Sequence, residues 1–98
     1  MLAEAPDAIY AATDTMAIGV LDVLADRGLR VPDDVAAVGF DGLPRAPQTT
    51  PRLTTVVQPV SEVGRAAVAA LVGESEPPYL QVLPTHLAVH DSCGANER

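Results

Sequence analysis

The sequence predicts an α/β fold: a mainly parallel sheet with flanking helices. Three observations carry that expectation. Short apolar runs alternate with segments of helical period. One run, Val35 to Phe40 (VAAVGF), is apolar throughout, as a parallel strand covered on both faces requires. The interval between the first two runs is long enough for a right-handed crossover helix. The second run then passes directly into Asp41-Gly42, so an apolar strand delivers a carboxylate at its end. That carboxylate either caps a turn or holds a ligand.

Each element has a local reason. Ala8 to Ala12 is a short apolar run after Pro6-Asp7, read as a first strand. Thr13-Asp14 supplies N-cap chemistry, because a short side-chain oxygen can accept from an otherwise unpaired amide of the first helical turn. From Thr15 to Arg27 the period is helical: Met16, Val20 and Val23, and Ala17, Leu21 and Leu24, recur at three- and four-residue spacing. Asp22, Asp26 and Arg27 fit the wet side, and Gly28 with Pro32 stops the helix. Val35 to Phe40 is the second strand. Pro44, Pro47 and Pro51 keep the following loop irregular to about Arg52. Leu53 to Val57 is the third strand, ended by Gln58-Pro59. A second helix runs from about Val60 to Val72, with an apolar stripe of Val60, Val63, Gly64, Ala67, Val68 and Leu71, closed by Gly73. Glu74 to Pro78 reads as a linker. Leu80 to Leu83 and His86 to His90 are further strand candidates, and the polar tail from Asp91 reads as frayed.

Composition narrows the function. Ninety-eight residues allow one small domain. Hydrophobic residues make up 48% and aromatics 3%, so Val, Leu, Ala and Ile must fill the core. The net charge is −7, with no lysine and six arginines against thirteen carboxylates. Nucleic-acid affinity depends on cations that neutralise phosphates, so direct DNA or RNA contact by these residues is excluded, and anionic membranes are disfavoured. The single cysteine, Cys93, cannot form an internal disulfide and implies a reducing compartment. The first residues show neither a basic n-region nor a long apolar h-region, so a cytoplasmic location is expected.

Ligands of open α/β sheets bind beyond the carboxyl ends of the strands. Thr13-Asp14 follows the first strand, Asp41 the second and Gln58 the third. Carboxylates and amides there suit hydroxyl-rich ligands such as sugars or nucleosides. Each has a plain alternative: Asp14 as helix cap, Asp41 as part of an Asp-Gly turn, Gln58 as a strand end. Asp14 and Asp41 could pair for acid–base work, but no nucleophile or phosphate loop accompanies them. His86 and His90 share a strand face without a third ligand at metal spacing. No cofactor, no metal and no enzyme activity is expected.

Three stretches, AIYAATDTMAIGVLDVLADRGLRVPDDVAAVGFDGLP (8–44), PRLTTVVQPVSEVGRAAVAALVG (51–73) and LPTHLAVHDSCG (83–94), closely resemble the C-terminal part of LacI/GalR-type transcription regulators. The likeness runs from about Pro6 to Cys93 and rests on four blocks in order: A-x-D-x-M-A-x-G, the segment Gly28 to Asp41, L-T-T-V-x-Q-P, and L-P-T-x-L. The resemblance implies a sensor of two lobes like type I periplasmic binding proteins. A small effector, a sugar or nucleobase derivative, lies in the cleft between them, and a separate helix-turn-helix contacts DNA. It implies effector contact at the residue before the first-block Asp, often Asn in the family and here Thr13, which lacks the amide donor. It makes Asp14 a helix cap with cleft exposure, places Asp41 on ligand hydroxyls, and sets Gln58 at a crossover between lobes.

The chain is therefore expected to be a non-catalytic, effector-sensing fragment (residues 1–98) of such a regulator, without the helix-turn-helix and most of the N-terminal lobe. It is expected to be a homo-oligomer that touches DNA only through another domain. Three rivals stand beside this reading: a sugar-binding transport component, a hydrolase using Asp14 and Asp41, and an interaction module that pairs through the second helix.

Overall fold

The structure is a computed structural model that describes residues 7–73 and 81–95. The expected linker Glu74 to Pro78, Leu80 and the first six residues lie outside that range. Strand β1 (Ala8–Tyr10), helix α1 (Asp14–Asp26), strand β2 (Ala36–Asp41), a 3-10 turn (Ala46–Gln48), strand β3 (Thr54–Val57), helix α2 (Val60–Leu71) and strand β4 (His86–Ala88) follow in order. The strands form one sheet in the order β1-β2-β3-β4. β1 and β3 flank β2 in parallel, with Tyr10 opposite Val38, Phe40 opposite Val56 and Asp41 opposite Val57. β4 runs antiparallel to β3. The described part of the candidate at 80–83 forms no strand, because Pro84 cannot donate to a ladder and pairing resumes only at His86.

One face of the sheet is a core. Ala17, Leu21 and Leu24 of α1 are buried, and α1 packs on β2. Ala11, Ala37, Ala46 and Leu53 close the cluster. The other apolar row of α1 faces water: Met16 is 60% and Val23 51% exposed. The small side chains on β2 explain the close packing. A Cβ at Gly39 would meet Ala17 Cβ and Leu53 Cδ2, each at 3.2 Å, and would overlap Asp14 Oδ1. Only glycine lets α1 lie this near the strand.

The opposite face is open, which corrects the expectation of a strand covered on both sides. Val38, Phe40 and Val56 are only half-buried there, and Tyr10 and Leu87 in line with them are 64% and 57% exposed. Helix α2 does not cover it. No residue of α2 is buried, and its stripe residues Val60, Val68 and Leu71 are 71%, 59% and 85% exposed.

The segment from Asp91 is not frayed. The Ser92 backbone N–H donates to Arg52 O at 3.0 Å, and its carbonyl accepts from Ala37 N–H at 2.9 Å. Its fully buried hydroxyl accepts from Thr54 N–H at 2.9 Å and donates to Ala37 O. Arg52 and Asp91 pair beside it at 2.9 Å. The tail is thus stitched across the starts of β2 and β3, where its polar groups satisfy backbone that would otherwise be buried unpaired. At the surface, hydrogen bonds from the Arg30 guanidinium and backbone hold Asp34 below the usual carboxylate range. Such exposed pairs contribute little to stability.

Candidate functional site

The three parallel strands end at one edge of the sheet, and the predicted groups follow them there. At the end of β1 the chain turns into α1. Thr13, in extended conformation, is the helix N-cap, and its Oγ1 accepts from Met16 N–H at 3.1 Å. The capping expected of Asp14 is therefore done by Thr13. Thr13 is half-buried, and its hydroxyl, accepting in this bond, still has a proton to donate.

Asp14 is the first residue of α1 and has no exposed surface. Its Oδ2 accepts from the backbone N–H groups of Gly42 at 3.0 Å and Leu43 at 2.7 Å. Its Oδ1 accepts from the Thr55 hydroxyl at 2.5 Å. One carboxylate at the start of a helix is thereby bonded to the turn after β2 and to β3.

Asp41 closes β2 with φ of 133°, a conformation that L residues rarely adopt. Such backbone costs on the order of 1–3 kcal/mol and survives only where surrounding structure imposes it. Two features impose it here. Gln58 N–H donates to Asp41 O at 3.1 Å. Gly42, at φ 80°, lies so close to β3 that a Cβ would stand 2.8 Å from Val57 Cγ1 and 2.9 Å from Val57 Cα. The Asp-Gly pair is thus a turn held tightly against the end of β3.

Gln58 leaves β3 beside it, and its side-chain amide donates to Asp41 Oδ1 in a short hydrogen bond. Both side chains are half-buried. Asp41 Oδ2 remains as an acceptor, and the Gln58 amide offers a further donor and its oxygen. With the Thr13 hydroxyl, this edge combines acceptors and donors at the mouth of a sheet. A hydroxyl-bearing neutral ligand matches that set; an anion would meet the Asp41 carboxylate.

The structure thus brings Asp41 and Gln58 into contact and keeps Thr13 next to the carboxylate that holds their turn. It encloses Asp14. Thr55 was missed from sequence, because a threonine in a β-branched strand gives no sign of donating to a helix start 41 positions away. Ser92 was missed for the same reason. Among the described residues no group of three His, Cys, Asp or Glu side chains converges as a metal site, and no helix is long and apolar enough to cross a membrane. Cys93 is a free thiol.

Residues 1–93 match the periplasmic binding protein-like domain. The chain belongs to this family. Its sheet with flanking helices is the architecture of periplasmic binding protein-like sensor domains, and its relatives are LacI-type regulators. It is 43% identical to the HTH-type transcriptional regulator CelR of Thermobifida fusca, over 94% of this chain and 29% of the regulator. It is 40% identical to the HTH-type transcriptional repressor MelR of Bacillus subtilis, over 95% of this chain and 28% of the repressor. Among solved structures, a complex of the transcriptional regulator CelR with cellobiose superimposes with a TM-score of 0.75 at 42% identity, covering 88% of this chain and 28% of that one. A LacI family regulator from Arthrobacter sp. FB24 in complex with lactose superimposes with a TM-score of 0.78 at 37% identity, covering 89% and 35%. The chain spans under a third of the length of these curated relatives. Those relatives are regulators and not enzymes.

Proposed function

We propose that this periplasmic binding protein-like chain is the effector-sensing portion, from the C-terminal part of the sensor, of a cytoplasmic LacI-type transcriptional regulator. It binds a small hydroxyl-rich molecule, a sugar or nucleobase derivative, without transforming it. The observation that carries the reading is the Asp41–Gln58 pair: a half-buried carboxylate on strained backbone, bridged to an amide, at the carboxyl edge of parallel strands. Thr13 supplies a hydroxyl donor at the same edge. DNA contact belongs to a separate helix-turn-helix, since this acidic chain has no basic face to offer phosphates. Effector binding acts on that domain by favouring one arrangement of the sensor over another, to the extent that its affinity for the two differs.

Cellobiose, lactose and sucrose, the sugars in complexes of similar regulators, make the first probes. A ligand that binds only the native state at a hundred times its Kd stabilises by about 2.7 kcal/mol. The expected result is a rise in unfolding temperature with at least one of a panel of these disaccharides, pentoses and nucleosides. Indifference to the whole panel counts against the reading.

A second reading is favoured by the open sheet face and the exposed stripe of α2. Exposed apolar side chains grouped on one element in this way are a feature of interaction sites. It supports a homo-oligomer. Sedimentation should show self-association at rising concentration, and a strictly monomeric species at high concentration contradicts it.

A further inference from the structure

We infer that Asp14 is the positioning residue of the candidate site: its buried carboxylate sets the orientation of Asp41 by gripping the turn that follows it, and does not itself touch the ligand. This rests on the reading of Asp41 and Gln58 as ligand contacts. The geometry has three parts. Asp14 has no exposed surface, so ligand has no access to it. Its three hydrogen bonds reach Gly42 and Leu43, the first two residues after Asp41, and Thr55, three residues before Gln58. Its own backbone neighbour is Thr13, the third polar group of the edge.

One carboxylate at the start of α1 therefore ties that helix to the turn after β2 and to β3, and each tie lies within three residues of a candidate contact. The Asp41 backbone is in a conformation that it would leave if released. The two turn amides are fixed to Asp14 Oδ2, and Oδ2 is in turn oriented by the Thr55 bond to Oδ1. Loss of the Thr55 hydroxyl frees the carboxylate to rotate. The turn amides then lose their acceptor, and the Asp41 side chain loses its register with Gln58.

The side-chain amide of Gln58 reports that register without any ligand. In NMR spectra of the full chain, its two proton resonances carry the short bond to Asp41. Thr55→Val should move them to free-amide positions and should displace the Gly42 and Leu43 amides with them. Thr55→Ser, which retains the hydroxyl, should restore both. A purely structural role for Asp14 would lower the unfolding temperature of Thr55→Val and leave the Gln58 resonances where they were; that result overturns the inference. If the valine variant does not fold, Thr55→Ala removes the hydroxyl without directing a methyl at the carboxylate and gives the same readout. A chain that shows these displacements but ignores every sugar supports the positioning role and refutes the sugar reading alone.

Discussion

Asp14→Ala is expected to abolish cooperative folding of the chain or to bring it to the edge of unfolding. The alanine leaves two backbone amides without an acceptor and the Thr55 hydroxyl with only a long bond to Val56 O. Each unsatisfied donor costs about 1–3 kcal/mol when buried, and these are partly or fully so, which puts the sum at roughly 3–6 kcal/mol. Small domains have only about 5–15 kcal/mol in total, and a chain with one open sheet face belongs at the low end. Asp22→Ala on the wet side of the same helix should change stability by less than about 0.5 kcal/mol. The check is the urea midpoint of the two variants side by side. Equal midpoints would mean that the Asp14 network stabilises nothing.

The second large effect separates stability from binding. Asp41→Gly removes the carboxylate proposed to contact the ligand and the bond to Gln58 but also relieves the strain at φ 133°. Relief is worth about 1–3 kcal/mol. Against it stand about 0.5–1 kcal/mol of added backbone entropy and about 1 kcal/mol for the lost hydrogen bond. These nearly cancel, so the variant should unfold within about 1 kcal/mol of the parent while losing its thermal response to sugars. A functional residue on strained backbone is expected to show this trade: it contributes affinity and little or no stability. Retention of the sugar response by Asp41→Gly would remove Asp41 from the site.

The sequence carried the scaffold well because local signals dominate there. Helical spacing placed α1 and α2 to within a residue, and apolar runs ended by Asp-Gly and Gln-Pro placed β2 and β3. Periodicity did not tell which of two apolar rows on α1 would be buried. The row with Ala17 won because Gly39 lets a small side chain approach the strand. Local polarity also made Asp91 to Gly94 look like a tail. Ser92 is buried because the starts of β2 and β3 need partners, and those lie 55 and 38 positions away. Of the candidate site, Thr13, Asp14, Asp41 and Gln58 are legible as polar residues after apolar runs. Their division of labour was not. Whether a carboxylate caps a helix, grips a distant turn or faces a ligand depends on three-dimensional neighbours that spacing along the chain does not encode.

The most direct test of the ligand site is an NMR titration of the 98-residue chain with cellobiose, lactose and sucrose in turn, following every backbone amide and the Gln58 side chain. The account predicts saturable displacements that cluster at Thr13, Asp41, Gly42 and Gln58 with at least one sugar, while α2 and the open face of the sheet stay unmoved. Displacements confined to α2 or the open face, or none with these three sugars and with the pentoses and nucleosides of the wider panel, would contradict it.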